Sequence, residues 1–118
     1  IGDEVLPTLQ LETPRKFFDY EAKYIDSETK MICPPNLHKD KLAELENLIL
    51  SAYQGLRCKG LARVDVIQDV SGDFFLLELN TIPGMTNHSF IPSAMEATGI
   101  NYDEMLIKIL KSEIEYIK

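Results

Sequence analysis

Two runs of strand-forming residues flank Ser71-Gly72, and no other feature constrains the fold as tightly. Leu61 to Val70 and Asp73 to Leu79 are rich in aliphatic, aromatic and β-branched residues. A Ser-Gly pair between such runs reads as a two-residue hairpin turn. That turn fixes a register: Val70 faces Asp73, and counting outward sets Asp65 opposite Glu78 and Arg63 opposite Asn80. Strand side chains alternate between faces, so these four polar groups share one face. Directly opposed residues have Cβ atoms roughly 4.5–5.5 Å apart.

Two carboxylates that close repel each other by on the order of 4 kcal/mol at about 4 Å and an effective dielectric near 20. A shared proton, the Arg63 guanidinium or a divalent cation would offset this. Asp65, Glu78 and Asn80 offer hard oxygen donors with no Cys or His among them, which suits Mg²⁺ or Mn²⁺ rather than Zn²⁺. The plainer alternative is a solvated hairpin with a charged outer face. Arg63 is either a surface ion-pair partner or a clamp for phosphate or carboxylate oxygens. Gly84, after Pro83, is either a turn glycine or a place where a backbone N–H approaches an oxyanion.

Around the hairpin the chain reads as an α+β layer, a mainly antiparallel sheet with helices on one face. Val5 to Leu11 reads as a strand. Glu12 to Lys30 is polar, holds Pro14, shows no period and reads as a long loop of the kind that is often functional. Met31 to Cys33 is a short strand stopped by Pro34-Pro35. Asp40 to Leu56 carries Leu42, Leu45, Leu48, Ile49, Ala52, Tyr53 and Leu56 on one helical stripe. After a loop from Asn80 to Phe90, Pro92 suits the first turn of a short helix to Ala97, with Gly99 beyond it. Asn101 and Glu104 form a capping-box pattern ahead of a last helix with Leu106, Ile109, Leu110, Ile114 and Ile117 on its apolar side.

At 118 residues, 45% hydrophobic, the chain suffices for one small globular domain. A net charge of −7 argues against nucleic acid, which needs a basic excess, but leaves room for a small anion held by local cations. No apolar run reaches transmembrane length and no signal peptide is visible. Cys33 and Cys58 lack metal or redox spacing and read as buried thiols in a reducing cytosol. His38 and His88 read as isolated surface residues. Ser89 has no Ser-His-Asp surroundings and reads as a loop serine.

Three separated motifs in order, Asp19-Tyr20-Glu21-Ala22-Lys23-Tyr24, Gly60-Leu61-Ala62-Arg63-Val64-Asp65-Val66 and Glu78-Leu79-Asn80-Thr81-Ile82-Pro83-Gly84-Met85-Thr86, resemble the D-alanine–D-alanine ligases of the ATP-grasp superfamily. Ser89 and Pro92 extend the likeness over nearly the whole chain. The resemblance implies an ATP-grasp C-terminal domain spanning 1–118, with a mobile active-site loop around 12–30. The family's N-terminal and central domains would lie upstream of Ile1, so the chain alone would be inactive.

The resemblance further implies ATP-dependent joining of two D-alanines through a D-alanyl phosphate, in the cytoplasm, for peptidoglycan precursors. Asp65, Glu78 and Asn80 match ligands of two Mg²⁺ ions, with Mn²⁺ as the alternative metal. Arg63 and the Gly84 N–H match the groups that hold the oxyanion. Ser89 and the backbone at Phe90 match the site for the second D-alanine's carboxylate. Lys23 and Tyr24 match the closing loop. Phe17, Ile67 and Leu77 match contacts to the nucleotide base, with Asn80 also on the nucleotide side, although simple alternation points Leu77 away from Glu78. A homodimer is implied for the intact protein, with neither nucleic acid nor membrane as partner. Tyr24 favours the dipeptide product over the D-lactate type. The competing readings are another ATP-grasp carboxylate–amine ligase and a non-catalytic divalent-metal module.

Overall fold

The computed structural model describes residues 1–2, 4–12, 30–86 and 89–117. Its elements are β1 (Gln10–Glu12), β2 (Lys30–Ile32), α1 (Lys39–Gly55), β3 (Arg63–Gln68), β4 (Phe74–Asn80), α2 (Phe90–Ala97) and α3 (Tyr102–Ile117). This is the expected α+β order. The described strands pair antiparallel as two two-stranded sheets, β1 with β2 and β3 with β4.

The first strand is shorter than expected. Val5 to Leu9 is not β-structure, and pairing begins only at Gln10, opposite Ile32. Pro7 accounts for this, because it has no N–H to give a ladder and fixes its own φ. Leu6 packs instead against the core. Most of the expected loop, residues 13–29, lies outside the described residues, and so do Phe17, Lys23 and Tyr24.

Helix α1 follows its leucine stripe, with Leu45 and Tyr53 buried. It begins one residue before Asp40 because His38 acts as N-cap, its Nδ1 accepting the Asp40 N–H at 3.4 Å. Asp40 in the first turn suits the positive end of the helix dipole. Beyond α1, the Tyr53 hydroxyl donates to the Gly60 carbonyl at 2.7 Å, and Gly2 N–H donates to the same oxygen at 3.0 Å. The chain is thereby turned back towards β3.

The hairpin differs from its sequence reading in two places, and the two differences cancel. The turn is not the two-residue Ser71-Gly72. Asp69 N–H donates to Asp73 O at 2.9 Å and Gly72 N–H donates to Asp69 O at 3.0 Å, which makes Val70, Ser71 and Gly72 a three-residue loop. Gly72 has φ +91°, the left-handed residue such loops require. The Asp69 carboxylate secures the loop by accepting the N–H groups of Ser71 and Asp73, each at 2.9 Å. The register from Gln68↔Phe74 to Val66↔Leu76 is therefore one residue away from the expected one. A bulge at Leu77 then inserts an extra residue, and Asp65↔Glu78, Val64↔Leu79 and Arg63↔Asn80 pair as expected.

Helix α1 packs against β4, with Lys41 Nζ lying 5.5 Å from the Phe74 ring centroid and donating to Gly72 O at 3.0 Å. The main core lies beside the hairpin, where Leu61, Ile91, Met95 and Met105 cluster and Ile1, Leu6, Met85, Ile100 and Ile109 close around them. Met95 and Met105 are fully buried, each contributing about 1.5–3 kcal/mol.

The capping box at α3 is formed reciprocally: Asn101 Oδ1 accepts Glu104 N–H at 3.0 Å, and Glu104 Oε2 accepts Asn101 N–H at 3.1 Å. The apolar side of α3 is only partly covered. The helix docks through Met105 and Ile109, four residues apart on one edge, and leaves Leu110 and Ile114 more than half exposed. Cys33 and Cys58 are free and half-buried rather than buried.

Candidate active site

Arg63 opens β3, and Asp65 follows it on the same face. The guanidinium grips the Asp65 carboxylate with two bonds, Nε to Oδ1 at 2.8 Å and Nη2 to Oδ2 at 3.1 Å. Its Nη2 also lies 3.6 Å from Glu78 Oε1 across the hairpin. Arginine is thus the counter-ion of the facing carboxylates. The Arg63 side chain is 18% exposed, Asp65 26% and Glu78 55%, so Glu78 is the most open of the three. The Arg63 guanidinium also lies over the Phe90 ring, 5.5 Å from its centroid.

Asn80 ends β4. Its Oδ1 accepts the Ile82 N–H at 2.9 Å, an Asx turn that swings the chain out of the sheet towards Pro83 and Gly84. The following loop folds back on itself. Ser89 Oγ accepts Thr86 N–H at 3.1 Å and lies 2.8 Å from Thr86 Oγ1. A Cβ on Gly84 would meet that Ser89 Oγ at 2.9 Å, so glycine lets the two segments touch. The Tyr102 hydroxyl ties the loop to α3 by donating to Met85 O at 2.6 Å. Ser89 is the N-cap of α2, yet its side chain makes no cap bond because it is turned back to Thr86. Its carbonyl accepts Ser93 N–H at 3.4 Å and Ser93 Oγ at 3.1 Å.

The fold brings Arg63, Asp65, Glu78 and Asn80 onto one hairpin face and sets Gly84 against Ser89. Ile67 and Leu77 are about half exposed and line the same cleft of about 600 Å³ as Arg63, Asp65 and Glu78. Leu77 is the unpaired residue at the bulge, so strict strand alternation does not apply to it.

Asp65, Glu78 and Asn80 suit a hard cation. Each oxygen has two lone pairs, and the bonds from Arg63 and from Ile82 N–H leave one on each Asp65 oxygen and one on Asn80 Oδ1. Among the described residues no cluster of three or more Asp, Glu, His or Cys could hold a metal. Mg²⁺ needs no such cluster, since one or two carboxylates with phosphate and water complete its shell. The Phe90 ring beside Arg63 is not foreseeable from strand register or turn chemistry. Its only signal was an aromatic residue immediately after Ser89.

A sequence model described as the D-ala D-ala ligase C-terminus matches residues 2–111. The chain belongs to this ligase C-terminal family. Two structures of the D-alanine–D-alanine ligase from Bacillus anthracis, one of them complexed with ATP, are each 31% identical to it over 98% of its length, with TM-score 0.80. The VanG D-Ala:D-Ser ligase from Enterococcus faecalis is also 31% identical, over 90% of the chain, with TM-score 0.72. The chain spans 37% of the Bacillus chains and 31% of the Enterococcus chain. Within the family it has the ATP-grasp C-terminal architecture, so the hairpin and the Gly84–Ser89 loop belong to a ligase fold. Among its described residues no helix is long and apolar enough to cross a membrane.

Proposed function

We propose that the intact protein is a cytoplasmic, ATP-dependent ligase that joins two D-alanines for peptidoglycan precursors. The observation that carries this reading is the convergence of Arg63, Asp65, Glu78 and Asn80 on one face beside the Gly84–Ser89 contact, in a chain of this family. The rest of the machinery falls to N-terminal and central domains of the same protein, working as a homodimer.

In this reading a carboxylate oxygen of the first D-alanine attacks the γ-phosphorus of ATP, giving D-alanyl phosphate and ADP. The amine of the second D-alanine then attacks the acyl carbon, phosphate leaves with the C–O bond electrons, and the amine proton is lost. Arg63 and the Gly84 N–H hold the oxyanion that forms at that carbon. The Ser89 hydroxyl and the Phe90 N–H hold the carboxylate of the attacking amino acid, which orients its amine. Ile67 and Leu77 give the nucleotide base an apolar seat. Asp65, Glu78 and Asn80 would hold Mg²⁺, with Mn²⁺ as substitute, and the bound ion would supply charge neutralisation for the transferring phosphoryl group. Lys23 and Tyr24 would close the site from outside the described residues.

The test is an acceptor panel. The intact protein, given ATP, Mg²⁺ and D-alanine with D-serine or D-lactate, should release phosphate only when D-alanine is present, and mass spectrometry should find D-alanyl-D-alanine as the main product. D-Serine belongs on the panel because identity to a D-Ala:D-Ser ligase equals that to the D-alanine–D-alanine enzyme. Phosphate release indifferent to D-alanine rules the reading out, and a dominant mixed product moves the assignment to another carboxylate–amine ligase. A non-catalytic metal module would instead bind Mg²⁺ or Ca²⁺ tightly with no nucleotide present.

A further inference from the structure

We propose that the Phe90 ring is a positioning residue for Arg63, aiming the guanidinium at the reacting carbonyl, a role that rests on the ligase reading above. Arg63 Nε and Nη2 are committed to Asp65, with Nη2 also near Glu78. Its Nη1 edge has no hydrogen-bond partner among the described residues. That edge is the part of the group left to donate to an anion.

Two bonds to one carboxylate fix the guanidinium in its own plane but leave the pair free to tilt together, because Asp65 is itself a flexible side chain. A ring 5.5 Å away limits that tilt. An aromatic face attracts a guanidinium through its quadrupole, and more strongly where water is scarce. Arg63 is the most buried member of the cluster, so this contact is partly shielded.

The placement of Phe90 gives the contact a second consequence. It is the first residue of α2, next to the N-cap Ser89, whose hydroxyl faces Gly84. In the ligase reading the Ser89 hydroxyl and the Phe90 N–H serve the acceptor carboxylate, while the ring of Phe90 reaches the strand that carries Arg63. One residue thus ties the acceptor seat to the oxyanion donor and sets their separation. Asp65 has a second duty towards the cation, and the ring adds a hold on Arg63 that does not depend on that carboxylate.

The experiment uses the intact protein with Phe90→Leu, which keeps an apolar side chain without a π-face, and Phe90→Tyr, which restores the face. Phe90→Leu should lower kcat about three- to tenfold, the size of a partly shielded cation–π contact. KM for ATP should stay within twofold and Tm should fall by only a few degrees, the cost of one such contact. Phe90→Tyr should recover most of the loss. In NMR spectra the Arg63 Nε–H proton should carry an aromatic ring-current shift that disappears in Phe90→Leu and persists in Phe90→Tyr.

Wild-type kcat in Phe90→Leu overturns the proposal. So does a loss that Tyr fails to rescue, or an Arg63 resonance that ignores the substitution. Absence of D-alanine-dependent turnover in the wild-type protein overturns the ligase reading itself, and the NMR arm still judges whether the ring holds Arg63.

Discussion

Replacing Arg63 by Gln removes the cation that separates two facing carboxylates and tests the electrostatic core of the site. The variant loses two charge-assisted bonds to Asp65, at 2.8 and 3.1 Å. Bonds to charged groups are each worth roughly 1.5–3 kcal/mol in net stability. Gln can return one N–H, and the 26% exposure of Asp65 lets water repair part of the rest. Asp65 then faces Glu78 without a counter-ion. At about 5 Å the repulsion is on the order of 3 kcal/mol at a dielectric of 20 and about 1 kcal/mol in water. Glu78 is 55% exposed, so the lower figure applies. The expected destabilisation is about 2–3 kcal/mol, read from urea unfolding of the intact protein.

The same geometry predicts how the loss is recovered. With ATP present throughout, millimolar Mg²⁺ should restore most of it, because an ion that binds only the folded, nucleotide-bound state adds about 2.7 kcal/mol at a hundredfold excess over its Kd. NaCl at equal ionic strength should restore less, since screening weakens the repulsion without filling the donor set. A loss below about 0.5 kcal/mol, or a variant that responds equally to Mg²⁺ and NaCl, would refute the reasoning.

Gly84→Ala should fold normally yet lose acceptor binding: its Cβ meets Ser89 Oγ at 2.9 Å, a hydroxyl that can rotate aside, so KM for the second D-alanine should rise about tenfold, the equivalent of one lost polar contact, with ATP binding unchanged. Titrating D-alanine in steady-state kinetics checks it. Asn101→Ala should destabilise α3 by about 1 kcal/mol, since the Glu104 N–H loses its acceptor while the return bond to the Asn101 N–H survives. Tyr53→Phe should also remove only about 1 kcal/mol, because the Gly60 carbonyl keeps its bond from Gly2 N–H at 3.0 Å. Urea unfolding of each variant decides both.

How much of this could be read from the sequence depended on how local each interaction is. Helix α1 and the Asn101–Glu104 box were legible because their partners lie within a turn or two of one another. A two-residue turn predicts the pairing of Asp65 with Glu78, and the pairing stands because the bulge at Leu77 offsets the longer loop. Nothing in the alternation marks such a bulge, so the sequence alone cannot say that Leu77 is unpaired. The first strand was over-extended because its apolar residues outweighed Pro7, and Leu6 serves the core rather than a sheet. The stripe on α3 pointed to Leu110 and Ile114, while the fold docks the helix through Met105. The contact of Phe90 with Arg63 joins an α2 residue to a β3 residue, and only the folded chain brings them together.

The central claim is that the Asp65–Glu78–Asn80 face is one wall of a ligase active site. The most direct measurement is D-alanine-dependent phosphate release by the intact protein, wild type against Glu78→Gln, at saturating ATP and Mg²⁺. Glu78 is more than half exposed and its contact with Arg63 is a long ion pair of 3.6 Å, so the variant should unfold at nearly the same urea concentration as wild type while its turnover falls by at least a hundredfold. A Glu78→Gln protein that is folded and turns over at the wild-type rate contradicts the account.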